Sequence, residues 1–168
     1  IRELSTTRLP SGAVRPGDTV VVARSGQPAR VERIVTYDGD VAAAGTDDAV
    51  TLTLDREIDV SRGDVLVPAD ARPEVSDQVA AHLIWMAEEP MLPGRPYLLK
   101  IGTRTIGAAV TELKHRVEAD TLKPLAAKTL GLNDIGFANL SLAEPIAFDP
   151  YDDNHATGAF ILIDRFTN

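Results

Sequence analysis

Short β-branched runs, each closed off by turn residues, recur along the whole chain, and this punctuation points to an all-β architecture. Thr19-Val20-Val21-Val22-Ala23 is the first run. Arg30 to Thr36 alternates apolar and polar residues through most of its length, as a half-buried strand does, and Ala49 to Leu54 alternates again. Val65-Leu66-Val67 is a fourth and shorter run. Two of these runs open on the same wording, Arg15-Pro16-Gly17-Asp18 and Ser61-Arg62-Gly63-Asp64. Gly accepts the positive φ of a tight turn, and an Asp carboxylate accepts a backbone N–H at the turn's exit, so both read as strand-entry turns. The Arg62-Gly63-Asp64 triplet also spells a cell-adhesion motif, but the turn explains it without a partner.

Pro68-Ala69-Asp70-Ala71-Arg72-Pro73 holds two prolines in six residues and no periodicity, which marks a linker and a domain boundary near Arg72. Beyond it a second strand set follows. Its members are Ala80 to Trp85, Tyr97 to Ile101 behind the Pro93-Gly94-Arg95-Pro96 turn, Thr105 to Val117, Ile135 to Leu142 and Ala159 to Ile163. Asp120 to Leu130 is ambiguous: Thr121 could cap a short helix, which Pro124 near its start and Gly131 at its end limit to about two turns. Two consecutive small β domains follow from this strand spacing, residues 1–72 and 73–168. The pattern does not distinguish a closed barrel from an open sandwich.

Charge narrows the function. The 168 residues carry 17 Lys plus Arg against 25 Asp plus Glu, a net charge of -8, with the basic residues scattered singly. A nucleic-acid surface rests on clustered Lys and Arg, so none is expected here. There is no cysteine, which excludes disulfides, thiolate metal sites and cysteine nucleophiles and suits a reducing cytoplasm. No apolar run approaches a membrane span, so no membrane partner is expected.

The residues offer no familiar active site. A phosphate loop needs Gly-Lys followed by Ser or Thr, and no Gly-Lys pair occurs. His82, His115 and His155 stand too far apart in sequence for ligand spacing, so no metal residue is named. The acidic cluster Asp55-Arg56-Glu57-Ile58-Asp59 reads as a turn rim, and Asp149 with Asp152-Asp153-Asn154 lacks the Gly and final Glu of a calcium loop. Trp85, flanked by apolar residues, reads as a buried strand residue. Catalytic, cofactor-binding and metal residues are all expected to be absent from these 168 residues.

Several stretches, taken in order, nonetheless resemble one family. They are Ser11 to Asp18, Val31 to Gly39, Glu57 to Asp64, Leu83-Ile84-Trp85-Met86, Pro93-Gly94-Arg95-Pro96-Tyr97 and Leu132-Asn133-Asp134-Ile135-Gly136. The last is Tyr151-x-x-Asn154-x-x-Thr157-Gly158-x-Phe160-Ile161-Leu162-Ile163-Asp164. This set, from Ser11 to Asn168, is similar to the two β-barrels of the GTP-binding large subunit of bacterial sulfate adenylyltransferase, a relative of the elongation factors. The resemblance implies two consecutive small β-barrels of the translation-factor domain II and domain III type. It further implies a GTPase domain outside these residues that holds GTP and magnesium. GTP hydrolysis there would drive adenylyl sulfate formation from ATP and sulfate by a separate catalytic small subunit.

The implied partners are that GTPase domain, the small subunit and, in fused forms, an adenylylsulfate kinase domain. Ile1 to Leu9 departs from the pattern, since it does not read like the strand that should open the first barrel. Thr167-Asn168, just after an apolar strand, reads as a boundary within a longer protein. Two barrels without an active site act through surfaces, and the polar loop from Asp149 to Gly158 on the second barrel is the expected contact, with Tyr151, Asn154 and His155 as the candidate partner-facing residues. Competing readings are the barrels of a translation-type GTPase and a free-standing sugar- or peptide-binding β module.

Overall fold

A computed structural model describes residues 2–3 and 7–166. The chain divides into two compact units. Unit 1 comprises Ile1–Val75 together with Ala147–Ala159, and unit 2 comprises Ser76–Ile146 together with Phe160–Asn168.

Unit 1 is built from short strands: β1 Arg2–Glu3, β2 Thr7–Arg8, β3 Ala13–Val14, β4 Thr19–Val22, β5 Pro28–Thr36, β6 Gly39–Val41, β7 Ala44–Gly45, β8 Ala49–Leu54 and β9 Leu66–Pro68. The main sheet runs β1-β8-β5-β4-β9, with β2 also on β8 and β6 on β5, while β3 and β7 form a separate ribbon. The opening segment, expected not to supply a strand, does so. Arg2 and Glu3 pair with Leu54 and Thr53, and Thr7 and Arg8 pair with Val50 and Ala49. Its polar composition hid it, because a two-residue edge pairing draws on backbone groups and needs no apolar alternation.

The hydrophobic cluster of unit 1 is aliphatic, and Thr53 is buried in the same unit. Val20, Val22, Val31, Ile34, Val50, Leu52, Leu54 and Ile58 are among the buried residues that pack together. Along β5 the burial alternates at Ala29 and Val31 and then skips to Ile34, where the register against β8 shifts between Val31 and Arg33. A bulge inserts one extra residue and so resets the period of two. The sequence marks it with two charged residues in a row, Glu32-Arg33, between apolar neighbours.

Unit 2 has longer strands: β10 Glu74–Ile84, which begins two residues before the unit's boundary, β11 Pro96–Ile101, β12 Arg104–Val117, β13 Pro124–Leu125, β14 Ile135–Phe148 and β15 Ile161–Asp164. Their order is β10-β14-β12-β11-β15, with β13 on β12. Ile106, Ala108 and Val110 are buried on β12 before the phase jumps to Leu113, again across a register shift beside two polar residues, Thr111-Glu112. The segment from Asp120 to Leu130, which the sequence left open between a short helix and a turn, forms a turn. Leu122 adopts φ 55, and Pro124-Leu125 pairs with Val117 and Arg116. The lone helix among the described residues is α1, His155–Gly158.

The two Gly-Asp strand entries share one geometry. Asp18 N–H donates to the Arg15 carbonyl at 3.1 Å, and Asp18 Oδ2 accepts from Arg15 N–H at 2.8 Å, while Gly17 between them has φ 98. Asp64 does the same to Ser61 at 3.0 and 2.9 Å, with Gly63 at φ 93. The carboxylate thus clamps the entrance of the turn rather than its exit. Two further copies escape a search for Gly-Asp. Asp48 clamps Gly45 and Asp134 clamps Gly131, with Asp47 and Asn133 at φ 72 and 64 in the left-handed position that Asp and Asn tolerate best after Gly. The common signal is Asp at the fourth turn position preceded by Gly, Asn or Asp.

The proline-rich segment is pinned to unit 1. Arg72 Nε donates to the Ala23 carbonyl at 2.7 Å, and Arg72 Nη2 donates to the Arg24 carbonyl at 3.0 Å.

Candidate functional site

The loop from Asp149 to Gly158 holds the three candidate contact residues, and the structure assigns them two different roles. Asn154 is consumed by the loop and by a bond to Ser11. Its Oδ1 accepts from Ala156 N–H at 3.1 Å to cap α1, and its Nδ2 donates to Asp149 Oδ2 at 3.4 Å and to Ser11 Oγ at 3.1 Å. Tyr151 and His155 face solvent and stack on each other, ring centroids 4.2 Å apart at 22°.

The reading from sequence missed the residues that shape this loop. Asp149 accepts from the Thr157 hydroxyl at 2.5 Å, Asp153 and Asn154 N–H groups both donate to the Pro150 carbonyl, and Gly158 N–H closes back on Asn154. Gly158 is obligatory because a Cβ there would stand 2.7 Å from Tyr151 Cα and 2.8 Å from the Asp149 carbonyl oxygen. The spacing Asp149…Thr157-Gly158 was the available signal. The contacts of residues 147–159 group with unit 1, whereas the expectation from sequence placed the loop on the second barrel, where its chain neighbours lie.

Three of the other motifs behind the family resemblance, those that begin at Leu83, Pro93 and Leu132, are joints of unit 2. Trp85 is buried just past the end of β10. Its N–H donates to the Asp134 carbonyl at 3.0 Å, its carbonyl accepts from Asn133 N–H at 2.7 Å, and its indole N–H donates to the Glu89 carbonyl at 2.7 Å. The ring meets Tyr97 edge-on at 5.8 Å. Tyr97 is fully buried, and its hydroxyl both donates to the Leu92 carbonyl and accepts from Leu92 N–H. Burial pushes its pKa up, with the nearby Asp164 charge adding to the effect. Asp164, its side chain 3% exposed, receives Arg95 Nη2 at 3.1 Å and Phe166 N–H at 2.8 Å. Arg95 also lies over the Phe166 ring at 5.0 Å.

The acidic cluster at Asp55 to Asp59 is a rim, as its spacing suggested, but not an extended one, because β8 ends at Leu54. Asp55 Oδ1 accepts from Arg30 N–H at 2.8 Å, and this bond, with a second from Arg56, holds its carboxyl below the usual range. Asp59 N–H donates to Gln27 Oε1. Arg56, Glu57, Ile58 and Asp59 line an open groove of about 470 Å³ with Gln27 and Pro28, where acid and base alternate without converging on a point. Asp64 of the Arg62-Gly63-Asp64 triplet has its side chain 3% exposed and paired with Arg24 at 3.3 Å, an arrangement that a receptor could not reach.

A phosphate cradle needs Gly-rich backbone leading into a helix N-terminus, and the helix described is a single turn whose free amide is already capped by Asn154. Among the described residues no three His, Asp or Glu side chains gather as metal ligands. No helix among them is long and apolar enough to cross a membrane.

The bifunctional enzyme NodQ of Azospirillum brasilense is 56% identical over 99% of this chain, and sulfate adenylyltransferase subunit 1 of Aeromonas salmonicida is 48% identical over 95%. The chain spans 27% and 34% of the length of these two relatives. Among solved structures, Sup35 complexed with GDP superimposes with a TM-score of 0.85 at 19% identity, covering 97% of this chain and 41% of Sup35. The fold is therefore all-β, two consecutive small barrels of the translation-factor domain II and domain III type. The family described as GTP-eEF1A C-terminal domain-like matches residues 78–168, more than half of the sequence, and the chain belongs to that family.

Proposed function

We propose that these residues are the barrel pair of the GTP-binding large subunit of a sulfate adenylyltransferase, a coupling module without chemistry of its own. The supporting observation is identity of about half over nearly the whole chain with NodQ and with sulfate adenylyltransferase subunit 1. The translation-factor likeness, at about a fifth identity, bears on fold alone. In the longer protein a GTPase domain would hold GTP and magnesium. Its hydrolysis would drive adenylyl sulfate formation from ATP and sulfate on the catalytic small subunit, with an adenylylsulfate kinase domain in bifunctional forms. The absence of cysteine supports a cytoplasmic setting.

The barrels would then act by repacking across interfaces as the GTPase domain changes state. Tyr151 and His155 are the proposed contact with the small subunit, since they are exposed, aromatic and held in a prearranged stack. Calorimetry of the 168-residue chain with GTP and magnesium should give no heat of binding, and micromolar affinity would overturn the assignment. In the longer subunit, Tyr151→Ala with His155→Ala should weaken capture of the small subunit about tenfold at unchanged GTP affinity. Capture at the wild-type level would retire the contact.

A further inference from the structure

The path of the chain between its two units carries a consequence that goes beyond this functional reading and does not depend on it. The polypeptide passes between the units at three places, after Val75, after Ile146 and after Ala159. Residues 147–159 thus leave the second unit, pack as part of the first, and return to form β15.

This excursion meets unit 1 at a weak point. The β3–β7 ribbon has only two residue pairs, Ala13 with Gly45 and Val14 with Ala44, and a two-stranded ribbon is marginal by itself. Ser11 stands two residues before β3, and its hydroxyl receives the Asn154 amide across 143 positions of sequence. Next to it the Gly12 carbonyl accepts from Thr46 Oγ at 3.3 Å, which ties the same turn to the residue that follows β7. The segment arrives already shaped. Asp149 holds Thr157 and Asn154, the Pro150 carbonyl holds two amides, and Gly158 lets the ends close to van der Waals distance. Ordering it therefore costs little further entropy at the moment of docking.

We propose that residues 147–159 are a strap: a piece of unit 1 supplied by the second half of the chain, whose docking at Ser11 keeps the β3–β7 ribbon closed. The strap ties the integrity of the ribbon to a segment that follows it by more than a hundred residues, and Tyr151 and His155 ride on its outer side.

Amide hydrogen exchange on the whole 168-residue chain tests this. Gly158→Val drives a side chain into the Tyr151 and Asp149 backbone and should release the strap. Protection in β3 and β7 should then fall about fivefold or more, the scale of one lost hydrogen bond, while protection in β11 and β12 changes by less than about twofold. Ser11→Ala should lower β3 and β7 protection in the native background and have no added effect on top of Gly158→Val, because the bond it removes is then already broken. Additive effects, or undiminished ribbon protection in the released variant, would overturn the strap. Should Gly158→Val fail to fold, Ser11→Ala alone decides: ribbon protection at the native level refutes the proposal. Loss of GTP coupling or of small-subunit capture is not the readout, so failure here leaves the functional reading standing.

Discussion

Unit 1 and unit 2 reach stability by different means. Unit 1 has strands of two to nine residues, a core of Val, Ile, Leu and Ala, and three of the four Asp-clamped turns. Unit 2 has three strands of 11, 14 and 14 residues, one such turn, and a buried group of Trp85, Tyr97 and Met91 set beside a shielded ion pair. Short strands bury little per residue, so unit 1 depends on fixing its many chain reversals, each of which limits the freedom of the next strand. Long strands carry their own register, so unit 2 can concentrate burial in a few large rings and join distant motifs through them. Two small barrels in one chain thus divide between turn-held and anchor-held construction.

The largest test of this contrast is truncation of the anchor. Tyr97→Ala removes a fully buried ring and two hydrogen bonds with Leu92, and should cost about 4–5 kcal/mol by urea titration. Leu54→Ala, an equally buried site in unit 1, should cost about 3 kcal/mol, and a larger loss there than at Tyr97 would break the comparison.

A smaller effect separates the two kinds of ion pair. Arg95→Ala strands the buried Asp164 carboxylate and should cost about 2–3 kcal/mol. Arg33→Ala breaks a bidentate pair with Asp40 whose side chains are both more than half exposed, and should cost clearly less than Arg95→Ala, because water screens such a pair. Equal losses would remove the distinction between anchor and surface pair.

The clamped turns come next. Asp18→Ala should cost about 1 kcal/mol and Asp64→Ala about 2, since Asp64 is also shielded and paired with Arg24. The two turns stand at different strand entries, so the double variant should show the sum, and a shortfall would mean that the turns are not independent.

The smallest effect concerns acid. Asp55 has its pKa lowered in the fold, first by the Arg30 N–H bond and then by Arg56. A depressed carboxyl contributes stability above the ordinary carboxylate range and loses it as pH falls through the folded value. Asp55→Asn should therefore flatten the decline of stability below about pH 4, read as the slope of unfolding free energy against pH. An unchanged slope would assign the acid sensitivity of unit 1 to other carboxylates.

Much of the strand set was legible because its signals are local. Period-two alternation, β-branched runs and Gly-Asp turns act within a few residues, and Ala49–Leu54 was bounded by them alone. β14 was expected to stop at Leu142 and runs to Phe148; Pro145 within it reads as a breaker, but it lies past Leu142, where the pairing with β12 ends and no β12 carbonyl calls for its missing N–H. The candidate site was legible in composition but not in role. Tyr151 and His155 stay exposed, while Asn154 is spent on a cap and on Ser11.

What the amino-acid sequence by itself determined is the all-β character, the turn positions and the lack of a phosphate loop, because each rests on φ preferences and spacing inside short windows. What only the tertiary structure decided is which distant pieces meet: Arg95 with Asp164, Trp85 with the turn at Asn133, and residues 147–159 with the first unit. Those pairings depend on where whole strands pack and on loop closure over dozens of residues, and no local pattern in a single chain records that choice.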